Sequence, residues 1–97
     1  MLKDEQDKAL GPEVIPMIPT THRLQWEEAQ NCHVILYPEG MVKLNPSSAE
    51  ILKLCDGQRD VKAITEELQR QYPDADVAQD ILNFLEVAHV NGWIRTK

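Results

Sequence analysis

The chain has 97 residues, with ten Lys and Arg against sixteen Asp and Glu, a formal charge of −6 and a pI near 4.9. That length supports one hydrophobic core, and the acidic balance argues against nucleic acid or anionic membrane as partners, because each phosphate contact consumes a cation. No stretch approaches the ~18 apolar residues of a membrane span, and the opening MLKDEQDKAL is charged where a secretory signal is apolar, so a cytoplasmic protein is expected.

Residues 1–21 carry Gly11, Pro12, Pro16 and Pro19. Proline blocks helix and removes sheet donors, so this stretch reads as a flexible, extended N-terminal arm ahead of a domain over residues 22–97. Val14, Ile15, Met17 and Ile18 are the apolar residues by which the arm could latch onto a surface.

Three strands follow. Arg23-Leu24-Gln25-Trp26 alternates, Cys32–Tyr37 is rich in Val and Ile, and Met41–Asn45 alternates again after Pro38-Glu39-Gly40. An antiparallel sheet is expected in which Val34 and Leu36 meet Val42 and Leu44 on the core face, with Ile35 and Tyr37 pointing away. The last strand is expected to lack a neighbour on its far side. Such an edge is a template for an extended peptide.

Three helices come next. Asn45-Pro46 resembles an N-cap with proline at the first helical position, and Ser47-x-x-Glu50 offers a capping box, so a helix over about residues 47–56 is expected, closed by Gly57. Asp60 starts a second helix bearing Val61, Ile64 and Leu68, ended by Tyr72-Pro73. The third runs from Asp76 to Asn91-Gly92, after which Trp93 and Ile94 pack back. A three-stranded antiparallel sheet followed by three helices is an α+β, winged helix-turn-helix-like arrangement.

The third helix contains Asp76, Asp80 and Glu86 but no Lys or Arg, which excludes the groove-reading role that such a helix has in DNA-binding relatives. Val77, Ala78, Ile81, Leu82, Phe84, Leu85 and Ala88 span an arc of roughly 160°, wider than the roughly 100° of a core-facing stripe. Either a helix packed on two sides uses the whole arc, or Leu82, Leu85 and their neighbours wall a groove beside the third strand.

Chemistry is sparse. His22, His33 and His89 are scattered, and Cys32-His33 are adjacent on a strand, so their side chains point to opposite faces and cannot share one metal as a local pair. Cys32 and Cys55 lack CxxC spacing and read as reduced small hydrophobes. No enzyme, cofactor or metal site is expected. Glu27-Glu28 and Glu66-Glu67 read as solvated faces.

The string LYPEGMVKLNPSSAEILKLCDG over residues 36–57, with Ile64, Tyr72-Pro73 and Gly92-Trp93, resembles the PqqD family of pyrroloquinoline quinone biosynthesis. The resemblance extends over about residues 22–97 and leaves the arm aside. It implies a non-enzymatic peptide chaperone that binds the precursor peptide PqqA and presents it to the radical S-adenosylmethionine enzyme PqqE, which cross-links a Glu and a Tyr of that peptide. It further implies that the peptide adds as a strand in a cleft between the third strand and third helix. By position this involves Met41, Val42, Lys43, Leu44 and Asn45, with Leu82 and Leu85 on the helix. The residues alone also accommodate a generic interaction or regulatory module on a winged-helix core. A monomer is expected, although an exposed edge also offers pairing with a second copy.

Overall fold

Two glycines, two prolines and two Asx caps punctuate the helical half of the chain, and the computed structural model, which describes residues 10–97, shows each at its station. The elements are β1 (Pro16–Met17), β2 (Arg23–Glu27), β3 (Cys32–Tyr37), β4 (Gly40–Lys43), α1 (Pro46–Lys53), α2 (Val61–Gln71), α3 (Val77–Val90) and β5 (Arg95–Thr96). Strands β2, β3 and β4 form an antiparallel sheet with β3 central, while β1 and β5 pair as a separate two-stranded ribbon.

The register of the main sheet corrects the expected faces. The β3–β4 turn has two residues, Pro38 and Glu39, so Tyr37 pairs with Gly40 and Ile35 with Val42. A three-residue turn including Gly40 would have set Leu36 against Val42; shortening it by one residue sends every side chain of β3 to the opposite face. Leu24, Ile35 and Val42 therefore form one row across the sheet. Ile35 is fully buried in the core, with Leu24, Tyr37 and Val42 packed against it. Val34 lies on the outer face between Gln25 and Lys43, yet is also fully buried. The Lys43 amine donates to Gln30 Oε1 at 3.1 Å, in keeping with long polar side chains laying their stems over an apolar residue.

At α1, Asn45 Oδ1 accepts from Ser48 N at 2.8 Å and Pro46 occupies the first turn. The alternative capping box does not form, since Glu50 pairs with Lys53 at 3.2 Å. The helix ends at Lys53, short of the expected 56, and Gly57 adopts φ 76° in the corner that follows. In α2, Asp60 Oδ1 accepts from Ala63 N at 2.8 Å, and Val61, Ile64 and Leu68 are buried. Helix α3 buries Ile81, Leu85 and Ala88 and is followed by Asn91 and Gly92, the latter at φ 79°. Each wholly buried Leu or Ile in this core contributes about 1.5–3 kcal/mol relative to exposure.

Residues 10–21 do not form a free arm. Leu10 is buried and Pro16 fully so, and β1 pairs with β5. Pro12 O and Val14 O accept from Lys62 N and Val61 N at 3.0 and 2.8 Å, satisfying first-turn donors of α2 that no intrahelical carbonyl reaches. Pro16 O accepts from Gly57 N at 3.1 Å, and Ile15 O from Lys97 N at 2.9 Å. Proline removes a donor but keeps its acceptor, so a proline-rich strand can dock through carbonyls. Residues 1–9 of the expected arm lie outside the described residues.

Candidate functional site

The hydrogen-bond alternation of the hairpin decides which backbone groups β4 offers. Leu44 N donates to His33 O at 2.9 Å, so Leu44, Val42 and Gly40 face β3, and the intervening Met41 and Lys43 direct their N–H and C=O groups away from the sheet. An N–H and a C=O from each of two residues give four outward groups. Among the described residues no hydrogen bond takes them up.

The side chains divide the same stretch differently. Met41 is 44% exposed and Lys43 is exposed, both on the outer face, whereas Val42 is half-buried and Leu44 buried against the helices. Asn45 is exposed, but its amide oxygen is committed to the α1 cap and its carbonyl accepts from Ala49 N at 3.1 Å. On α3, Leu82 is half-buried against the core. Leu85 has 0% exposure and is a core residue, so it presents no surface from which to wall a groove. The wide apolar arc is largely absorbed by packing: Ile81, Leu85 and Ala88 form its spine, Val77 and Leu82 flank them, and Phe84 meets Trp93 at 6.4 Å between ring centroids. Trp93 is thereby half-buried, as a core plug requires.

Two features lie outside the sequence expectation. Trp26, 50% exposed, stands edge-on to His33 at 5.1 Å beside a hollow of about 280 Å³ that also touches Leu44, Asn45 and Ala49. A larger groove of about 450 Å³ opens between the start of α1, the α2–α3 connection and the first turn of α3, lined by Pro46, Ser47, Ile51, Tyr72, Val77 and Asp80. Alternation and helical periodicity describe single elements; a groove made by the ends of three helices has no such signature.

The Asp56-Gly57 corner holds the ends of the fold together. Asp56 Oδ1 accepts from Gln58 N at 2.9 Å and Arg59 N at 3.2 Å, and Oδ2 pairs with the Arg59 guanidinium at 2.8 Å. The backbone donation from Gln58 is the largest influence on this carboxyl and, with the backbone donation and charge of Arg59, holds it below the ordinary carboxylate value against the opposing effect of desolvation. Met17 bridges to Asp56, and Lys97 Nζ donates to Gly57 O at 3.1 Å. Cys55, beneath the corner, is buried, and burial, with the adjacent Asp56 charge, pushes its thiol up to about 12. Both thiols are free. Among the described residues no cluster of three His, Cys, Asp or Glu could hold a metal ion, and no helix is long and apolar enough to cross a membrane.

The family model for coenzyme PQQ synthesis protein D (PqqD) matches residues 32–94. The chain belongs to the PqqD family. Among PqqD relatives, the PqqA binding protein of Pseudomonas aeruginosa (strain UCBPP-PA14) is 57% identical over 81 residues, 82% of this chain and 88% of that protein. The PqqA binding protein of Azotobacter vinelandii is 53% identical with the same coverage. That of Methylococcus capsulatus is 46% identical over 87 residues, 90% of this chain and 94% of the relative. The solution NMR structure of the PqqD truncation of Methylobacterium extorquens PqqCD, described as a functional stand-alone recognition element for ribosomally synthesized and post-translationally modified peptides, superposes with a TM-score of 0.75 at 32% identity, covering 93% of this chain and 98% of that one. The α+β fold of three helices with antiparallel sheets is thus the PqqD recognition-element fold.

Proposed function

We propose that this chain is a non-catalytic peptide chaperone that binds the precursor peptide PqqA as an added strand along β4 and presents it to the radical S-adenosylmethionine enzyme PqqE. The observation that carries the reading is the open β4 edge, where four backbone groups of Met41 and Lys43 have no partner among the described residues. The PqqA binding proteins to which the chain is similar supply the identity of the peptide. On a winged-helix-like body, β4 takes the position of the strand that the family resemblance associates with peptide addition. Strand β2 is also an edge, but its outward residues Leu24 and Trp26 lead into the β2–β3 turn, whereas β4 runs directly into the lip of the groove at Pro46 and Ser47.

Backbone pairing selects an extended chain, and side-chain pockets select its sequence. At about 0.5–1.5 kcal/mol net per bond, four bonds give about 2–6 kcal/mol before association entropy is subtracted. Micromolar affinity requires about 8 kcal/mol, so apolar contacts next to the edge supply the remainder. An NMR titration of the labelled protein with PqqA tests the reading: amide shifts are expected to concentrate at residues 41–45. Shifts confined to other surfaces, with those amides silent, would replace strand addition by a different interaction mode.

A further inference from the structure

We propose that the groove between the start of α1 and the start of α3 is the anchor pocket of the same peptide, and that it takes an apolar side chain flanked by a Lys or Arg. The inference rests on the strand-addition reading and deepens it. At about 450 Å³ the groove falls within the roughly 300–1,000 Å³ of ligand sites, room for an aromatic or branched aliphatic side chain. Its floor is apolar, with buried Ile51 and Leu68 and half-buried Val77. Tyr72, 48% exposed, stands at its rim, an aromatic residue of the kind that dominates binding when a partner covers it.

Charge and chain continuity fix the occupant. Asp80 lines the groove and among the described residues has no cationic partner, while Glu50, also at the rim, pairs only with the exposed Lys53. From residue 71 to residue 94 the sequence holds Asp74, Asp76, Asp80 and Glu86 and no Lys or Arg. A cation beside the anchor is therefore attracted, and an acidic segment repelled. Pro46 and Ser47 follow β4 after only Leu44 and Asn45. A strand laid along Met41 and Lys43 and continued past Asn45 reaches this lip within a few residues, at ~3.3 Å per residue, so edge and groove are arranged to hold one continuous peptide.

The test uses the full chain and PqqA in calorimetric titrations. Ala75→Trp fills the groove from an exposed connection residue, and Asp80→Lys reverses the charge at its rim; neither side chain belongs to the core. The dissociation constant is expected to rise at least about tenfold for Ala75→Trp and about two- to fivefold for Asp80→Lys, with the salt dependence of wild-type binding reduced in the latter. Met41→Pro, which acts on the edge alone, separates the two readings. If Met41→Pro weakens binding while both groove variants bind like wild type, the anchor pocket is overturned and strand addition stands. If the groove variants weaken binding and Met41→Pro does not, the pocket stands without the strand. Absence of PqqA binding by the wild-type chain overturns both.

Discussion

Proline placed at successive positions of β4 separates the outward edge from the inward ladder. Met41 directs its N–H to solvent while Val42 bonds to Ile35, so Met41→Pro removes a donor that the free protein does not use, at an edge position where proline is tolerated. Val42→Pro removes a ladder bond next to the fully buried Ile35. Leaving that partner unsatisfied costs about 1–3 kcal/mol, a large part of what a small domain has. For peptide binding the order inverts. Met41→Pro deletes one intermolecular bond, and its ring crowds the neighbouring one, together about 1–3 kcal/mol at the net value per bond, which is about 5- to 150-fold in dissociation constant. Thermal unfolding read alongside titration calorimetry checks both limbs: Met41→Pro should melt near wild type and bind PqqA weakly, and Val42→Pro should melt markedly earlier. A folded Met41→Pro protein with wild-type affinity would refute strand addition at β4, and an unfolded one would refute the assigned alternation.

Leu85→Ala, in the middle of the α3 spine, is expected to destabilise by about 2–5 kcal/mol through transfer and cavity effects, read as a lower urea midpoint, without a change in peptide affinity of the folded fraction. Asp56 titrates below its ordinary value of 3.8, so the folded chain holds this carboxylate ionised where the unfolded chain has begun to protonate. Its contribution is fully present above the unfolded pKa and is lost as pH falls through the folded one; Asp56→Asn should therefore narrow the stability gap from wild type as pH is lowered from 6 toward ~3, measured by denaturant midpoints. The contribution is small because the side chain is 39% exposed. Cys55, pushed up to about 12, should resist thiol-specific labelling at pH 8 in the native protein while half-buried Cys32 reacts; equal labelling rates for the two would contradict the packing beneath the corner.

Sequence patterning located the elements wherever a residue type has one local meaning. Asp60 caps α2, Tyr72-Pro73 ends it, and Gly57 and Gly92 take positive φ, because each satisfies a local requirement that no other part of the molecule sets. The sheet faces were not legible because Val34 and Ile35 are adjacent, both β-branched and both fully buried, so alternation had no direction; a turn one residue shorter decided the matter. Pro12 and Pro16 read as breakers of structure because their missing donors are visible in sequence, whereas the N–H groups of Lys62 and Gly57 from which their carbonyls accept are 50 and 41 positions away. Leu82 and Leu85 were inseparable by helical angle, yet one is half-buried and the other wholly enclosed. Of the proposed binding surface, the edge at Met41 and Lys43 follows from strand order, while the groove needs three helix ends brought together.

The pairing of β1 with β5 puts Ile15 and Lys97 in hydrogen-bond contact, so the stretch ahead of the main sheet and the last strand close on one another. A partner joined through Lys97 would be tethered beside β1 and the Asp56-Gly57 corner. The M. extorquens relative, a truncation of PqqCD, shows a domain of this fold that also exists within a longer chain. For a module whose proposed task is to hand a peptide to an enzyme, a linker at that spot makes its reach depend on linker length. The effective concentration of the delivered peptide is then set by that length.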